Sequence, residues 1–276
     1  MEAEVVVKFH RVITANCAVV LGLALIVGAP IARAQQTQAA PFLVLEARTT
    51  GGFVMPSFQF GQVPQLAVYS NGTVLTAAVV GAKYPGPIAQ PIARHMVTPD
   101  MTPVLSGAER AHLLDPKFDW GIPSAADVPS TEIKIRQSAA AAANVIVIPS
   151  LGIDAGLTRE QIAARKLVQS YLYRVSLAQK PYVSVHGSRQ EWISGRWTYR
   201  AQAGSKVSLS VVRPWFGSAL TSDGQCTLMT KSQNEKLVKM LPKLNSATRW
   251  SSGGKIWYVT LRPLLPHERN CSDIGY

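Results

Sequence analysis

The stretch "LAVYSNGTVLTAAVV", residues 66–80, decides the class of fold. Two runs rich in β-branched and aromatic residues flank Asn71-Gly72, a pair that suits a two-residue turn with positive φ at both positions. The expected element is a β-hairpin, so its two strands are antiparallel. Asn71-Gly72-Thr73 is also an N-glycosylation sequon, as is Asn270-Cys271-Ser272. The turn accounts for the first, and a disulfide accounts for the cysteine of the second.

Working outward, residues 42–48 read as a strand ended by Gly51-Gly52, and "TEIKIRQ" alternates Ile133 and Ile135 against Lys134 and Arg136 as a half-buried strand. "NVIVIPSLG" reads as a more fully buried one, joined to it through the alanine run 139–143. Between these strands lies "AKYPGPIAQP", a loop whose Tyr84 is expected to pack over the sheet. Thr98-Pro99 offers a cap and a first-turn proline for a helix in which Met101, Val104, Leu105, Ala108 and His112 recur at helical spacing, with Gly107 against it. The strongest helix spans 158–178. Thr158 and Gln161 form a capping box, Ala164, Val168, Tyr171, Leu172 and Val175 form the apolar stripe, and Arg165, Lys166 and Arg174 lie outside it. Later, "SKVSLSVVRP" and "KIWYVTLRPLL" read as strands, and Ser232 with Glu235 caps a helix between them. Paired strands with single helices between them predict an α+β fold: mainly antiparallel sheets, two to three packed helices and one C-terminal disulfide. The expected organisation is a signal peptide over 1–34, a disordered leader over 35–41, an α+β domain over 42–180 and a basic α+β subdomain over 181–276.

The N-terminal segment sets the expected compartment. Its apolar run, residues 18–29, is twelve residues long. A membrane-spanning helix needs about twenty. Lys8 and Arg11 precede the run, Pro30 ends it, and Ala32-Arg33-Ala34 has the small residues a signal peptidase reads. Cleavage is expected after Ala34, leaving about 242 residues and no transmembrane span; retention as an anchor is the alternative. Cleavage also removes Cys17, leaving Cys226 and Cys271 as an even pair in an exported chain, most simply one disulfide.

Charge is unevenly distributed. Residues 35–158 hold 7 Lys/Arg against 8 Asp/Glu, and residues 159–276 hold 18 against 6. So basic a half attracts polyanions, which outside a cell are anionic head groups or acidic envelope polymers. Within it, Arg189, Trp192, Arg196, Trp197, Arg200, Arg213 and Trp215 interleave cations with aromatic faces, with Tyr199 among them, a composition suited to sugar rings and anionic groups. Ordinary packing of the tryptophans, with solvated arginines around them, is the competing reading.

Catalytic patterns are sparse. The sequence has no HExxH, no GxSxG elbow and no glycine-rich phosphate loop after a strand, so no metal and no cofactor is expected. His186 lies two residues from Ser188, but a triad is assembled in space and adjacency carries no weight. Asp119 and Asp127, in "LLDPKFDWGIPSAADVPST" with Asp115, could serve as paired carboxylates of a hydrolase acting on envelope glycans or peptides. Asp residues in such Pro/Gly-rich loops more often cap turns.

Taken together, "GGFVMPSFQFGQVPQLAVYSNGTVL", "YPGPIAQP", "DWGIPSAADVPSTEI", "LGIDAGLTREQIAARKLVQSYL" and "RPLLPHERNC" resemble a family of exported actinobacterial proteins, many of them lipoproteins. The resemblance implies an extracytoplasmic, envelope-associated domain with a C-terminal cysteine after the "RPLLP" strand, and brings no activity with it. Lipoprotein members carry a cysteine at the end of the apolar run and this chain does not, so release or loose attachment is expected. The function read from the sequence is an exported envelope binding protein that contacts an anionic polymer or an envelope protein through its basic half. The alternative is the Asp119/Asp127 hydrolase, and nucleic acid is not an expected partner of an exported chain.

Overall fold

The hairpin is present and lies at the centre of the larger of two sheets. The computed structural model describes residues 40–82, 84–180, 182–183, 188–205 and 210–274. The expected signal segment, nearly all of the leader and His186 lie outside the described residues.

The first sheet combines β1 (Leu43–Thr50), β2 (Leu66–Tyr69), β3 (Thr73–Ala77), β4 (Ile92–Met96), β5 (Ser130–Ile135), β6 (Asn144–Ile148) and β7 (Gln190–Trp192) in the order β6-β5-β1-β2-β3-β4-β7, every neighbour antiparallel. The second combines β8 (Trp197–Ala203), β9 (Val212–Pro214), β10 (Thr227–Leu228), β11 (Arg249–Ser252) and β12 (Lys255–Pro263) in the order β10-β8-β12-β11-β9, with β9–β11 the parallel pair. Four α-helices accompany them: α1 (Pro56–Gly61), α2 (Thr102–Arg110), α3 (Arg159–Ser176) and α4 (Lys231–Met240). The chain is thus α+β with mainly antiparallel sheets. Residues after Lys180 supply one edge strand of the first sheet and all of the second, and from residue 40 onward the chain forms one compact unit.

The main core lies between the first sheet and helices α2 and α3. Leu45, Ala47, Ile133 and Ile148 meet Val104, Ala108, Val168 and Tyr171 there. Gly107 opposes helix formation by propensity, yet it is where α2 admits its neighbours. A Cβ there would sit 2.5 Å from the Tyr182 ring and 2.8 Å from that of Tyr171, so close ring packing offsets the propensity cost. The second core packs Trp197, Tyr199, Trp250, Trp257 and Leu237 between the second sheet and α4. The disulfide joins Cys226 to Cys271, just before β10 and in the closing 3₁₀ turn Cys271–Asp273.

Several local expectations are corrected. The hairpin turn is wider than two residues: only Gly72 takes positive φ (+82°), its N–H donates to the Tyr69 carbonyl at 3.0 Å, and Asn71 Oδ1 accepts from Thr73 N at 3.1 Å. Helix α2 begins at Thr102 rather than after Thr98, with Asp100 Oδ1 accepting from Thr102 N at 3.0 Å. His112 has left the helix at φ +59° and stacks on Phe118. Strand β6 alternates exposed Val145 and Val147 with buried Ile146 and Ile148, because it is an edge strand covered on one face only. Tyr84 is exposed rather than packed on the sheet. The α4 capping box is Thr230 with Gln233, two residues earlier than expected, which turns Asn234 and Leu237 inward. The predicted box of α3, Thr158 with Gln161, is present. Arg165, expected outside the stripe, is fully buried.

Candidate functional site

Two features of the described residues have the makings of a site, a buried polar network on the first sheet and an apolar cleft beside α4.

The network begins in β1, where Glu46 and Arg48 project between apolar neighbours. Register places Glu46 opposite Lys134 and Arg48 opposite Glu132 in β5, so each charge faces its opposite. Glu46 is paired with Arg48, whose Nε lies 2.9 Å from Oε1, and Lys134 Nζ stands 3.1 Å from Glu132. On its other oxygen Glu46 meets His267 Nε2 at 2.9 Å, and His267 Nδ1 meets the Tyr69 hydroxyl at 2.8 Å. Burial works to raise the Glu46 carboxyl, but the His267 hydrogen bond and the Arg48 charge outweigh it and hold it at about 2. Burial, reinforced by the Glu268 and Glu46 carboxylates, pushes the Tyr69 phenol up, so it keeps its proton. The His267 ring thus stands between the Tyr69 hydroxyl and the Glu46 carboxylate.

A Glu–His–Tyr chain has the order of a catalytic relay, but the hydroxyl at its end belongs to Tyr69, which is buried away from solvent. Arg48 also donates to the Ile274 carbonyl. The network therefore fastens the C-terminal segment onto the first sheet. A cleft of about 220 Å³ opens over it, with Lys134, Arg136 and Asp273 at its sides.

The second feature is an apolar cleft of about 290 Å³ between the edge of the first sheet and α4. Ile88, Pro91, Trp192, Trp197, Val238 and Leu241 line it, and Glu191 is its charged wall residue. Trp197 is fixed by Nε1 donating to the Ser194 carbonyl at 2.9 Å, while Ser194 Oγ bridges to the Leu264 carbonyl at 2.8 Å. Past Val238 a neighbouring open cleft brings in Lys239, with Glu235 beside it. Lys236, Lys239 and Lys243 recur at i, i+3 and i+7, so they share one exposed side of the helix and the 3₁₀ turn that extends it. Arg213 Nη2 reaches the Lys243 carbonyl at 3.3 Å, adding a fourth cation.

Of the sequence-predicted residues, Trp192 and Trp197 meet in this cleft. Arg213 lies outside its lining, at the Lys243 carbonyl. Trp215 instead packs against Tyr199, Phe216 and Trp250. Arg200 lies over the Phe60 ring at 5.1 Å, and Arg196 Nη2 donates to the Glu268 carbonyl at 2.7 Å. Arg189 is exposed just before β7. Asp119 accepts from Gly121 N at 2.9 Å and from Gln161 Nε2 at 3.0 Å, which ties a loop to the start of α3. Asp127 is an exposed loop residue at φ +55°. Neither Asp lines the apolar cleft or the cleft over the network.

Sequence reasoning missed Glu46, Tyr69 and His267 as a group. Only the charges facing each other across β1 and β5 were recoverable in principle, once the pairing was known. Comparison with protein-family models, curated proteins and solved structures returned no match.

Proposed function

We propose that this is an exported, envelope-associated binding protein that holds an anionic envelope component carrying an apolar group. The apolar group occupies the Trp192/Trp197 cleft, and the anionic part meets Lys239, Lys243 and Arg213 outside it. The observation that carries this reading is that Val238 lines both the apolar cleft and the neighbouring open cleft that brings in Lys239. Apolar enclosure with a few charged groups at its edge is the usual composition of a small-ligand site. Export is supported by the disulfide, which persists in oxidising compartments, and by the signal-like residues 1–34. No helix among the described residues is long and apolar enough to cross a membrane.

The binding reading is favoured over hydrolysis because Asp119 is engaged in loop capping and neither Asp119 nor Asp127 lines either cleft. The test uses dodecyl phosphate and the uncharged dodecyl maltoside as probes, titrated calorimetrically below their micelle concentrations. Val238→Trp, which fills the cleft, and Lys239→Glu combined with Lys243→Glu are each expected to weaken dodecyl phosphate binding at least tenfold. Added salt should weaken it too, by screening. Equal affinity for the two probes, or no effect of Val238→Trp, overturns the reading.

A further inference from the structure

A different part of the molecule carries a second site, independent of the cleft reading. The connection that leaves β1 is "GGFVMPSF", in which Phe53 is 93% exposed and Val54, Met55 and Phe58 are exposed with it. The connection that leaves β3 exposes Val79, at 96%, with Val80 and Tyr84. Connections are ordinarily polar, and side chains of this size and exposure, gathered in two short segments, are what marks an interaction surface.

Both segments leave the same end of the first sheet. Gln65, just before β2, donates its side chain to Thr49 Oγ1 at 2.7 Å, and Ala77 N donates to the Gln65 carbonyl at 3.3 Å. Thr49 and Ala77, at the ends of β1 and β3, are therefore neighbours across one residue.

The segments that build this end are poor in carboxylates. Residues 47–99 contain no Asp or Glu, and neither do residues 249–267, which span β11, β12 and the turn after β12. Cations stand beside the apolar segments. Arg249 lies 5.0 Å over the ring of Tyr258, which borders the same hollow as Phe58. Lys255 is exposed at the start of β12. Two carboxylates approach: Asp127, two residues before the Pro129 against which Gly52 packs, and Glu191 of β7, which register places opposite Ala93; Glu132 further along the sheet is held by Lys134 and Arg48.

We infer that this end docks on a membrane surface, with Phe53, Met55, Val79 and Tyr84 entering the interface of an anionic bilayer and Arg249 and Lys255 meeting its head groups. The apolar side chains project from convex loops rather than from a flat or grooved face. A protein partner would need a matching cavity for each, whereas a bilayer interface accepts them without one. Apolar projections combined with cations and few carboxylates are the requirement for interfacial binding to anionic lipid.

The experiment uses the full-length chain with Cys17→Ser, so that a polarity-sensitive thiol dye reacts only at Phe53→Cys and the Cys226–Cys271 disulfide is spared. Vesicles of phosphatidylglycerol with phosphatidylcholine, and of phosphatidylcholine alone, are the two surfaces. The dye at position 53 should shift to the blue on anionic vesicles, much less on neutral ones, and the shift should fade with salt. The same dye at Lys117→Cys, on a loop after α2, should not shift. Phe53→Ser combined with Val79→Ser, compared with the unmodified chain, should lower partitioning onto anionic vesicles at least tenfold. These positions are exposed, so folding is not at stake. Co-sedimentation without a shift at position 53 would place the contact elsewhere, in residues 18–29 for instance, and overturn the proposal. No binding at all overturns it, as does a shift that grows with protein concentration in the absence of vesicles, which would indicate self-association.

Discussion

Arg262 and Glu268 form a two-pronged ion pair with both side chains fully buried, Nη1 to Oε2 at 2.9 Å and Nη2 to Oε1 at 2.7 Å. Glu268 Oε2 also accepts from Leu265 N at 2.7 Å, and Arg262 Nε donates to the Gln62 carbonyl behind α1 at 3.0 Å. The pair thus joins the end of β12 to the residue that closes α1, across 200 positions of sequence. Removing one partner leaves the other as an uncompensated buried charge. Glu268→Ala should therefore lower unfolding stability by roughly 3–5 kcal/mol, read from urea denaturation, whereas the double change Arg262→Met with Glu268→Leu should cost less than the single one.

Stability should also depend on acid through Glu46. Its carboxyl, at about 2 in the folded chain, lies below the ordinary glutamate value of 4.5. The charged carboxylate therefore favours the fold fully above about pH 4.5, and this contribution is lost as pH falls toward 2. At about 1.4 kcal/mol per unit, the loss amounts to roughly 3 kcal/mol. Denaturation midpoints measured between pH 5 and pH 2 should fall, and Glu46→Gln should flatten that slope while lowering stability at pH 7.

Arg165 is another buried cation, held by backbone carbonyls rather than by a carboxylate. Its guanidinium donates to the carbonyls of Trp120 at 3.0 Å and Ser150 at 2.6 Å, and to that of Pro149. These contacts fasten two loops to α3. Arg165→Met keeps most of the volume but strips the partners from those carbonyls, each worth about 1–3 kcal/mol when left buried and unsatisfied. We expect a fall in melting temperature by calorimetry and faster amide exchange in residues 119–124 and 149–153.

Reducing the disulfide should lower stability by up to about 4 kcal/mol, the chain-entropy value for a 45-residue separation. Melting with and without a phosphine reductant measures it. The Cys226→Ala, Cys271→Ala chain should match the reduced protein.

Elements whose signals are local were legible in the sequence. The hairpin at Asn71-Gly72, the α3 capping box and the Ile133/Ile135 alternation each depend on contacts within a few residues, and each is found where its pattern lies. The apolar stripe of α3 was also legible, but the role of Arg165 was not. Position on a helical wheel says which way a side chain points, and not that two loops will close over it. The α4 cap was misplaced for a related reason: Ser232/Glu235 and Thr230/Gln233 have equal merit as sequence, and the helix starts at the earlier one. Among the tryptophans, Trp192 and Trp197 meet in one cleft while Trp215 joins a ring cluster, a distinction that no spacing encodes.

By itself the sequence determined the α+β class, the antiparallel pairing, the ends of the best helix and the Cys226–Cys271 bridge, because hydrogen-bonding patterns, residue periodicity and cysteine count are local or countable properties. Tertiary structure alone decided that Glu46, Tyr69 and His267 form one network and that Arg262 finds Glu268. It also decided that the connections after β1 and β3 expose their apolar side chains at one end of the same sheet. Those relationships depend on strand order and register, which bring together residues far apart in the chain, and on the loss of water that makes buried charges seek partners.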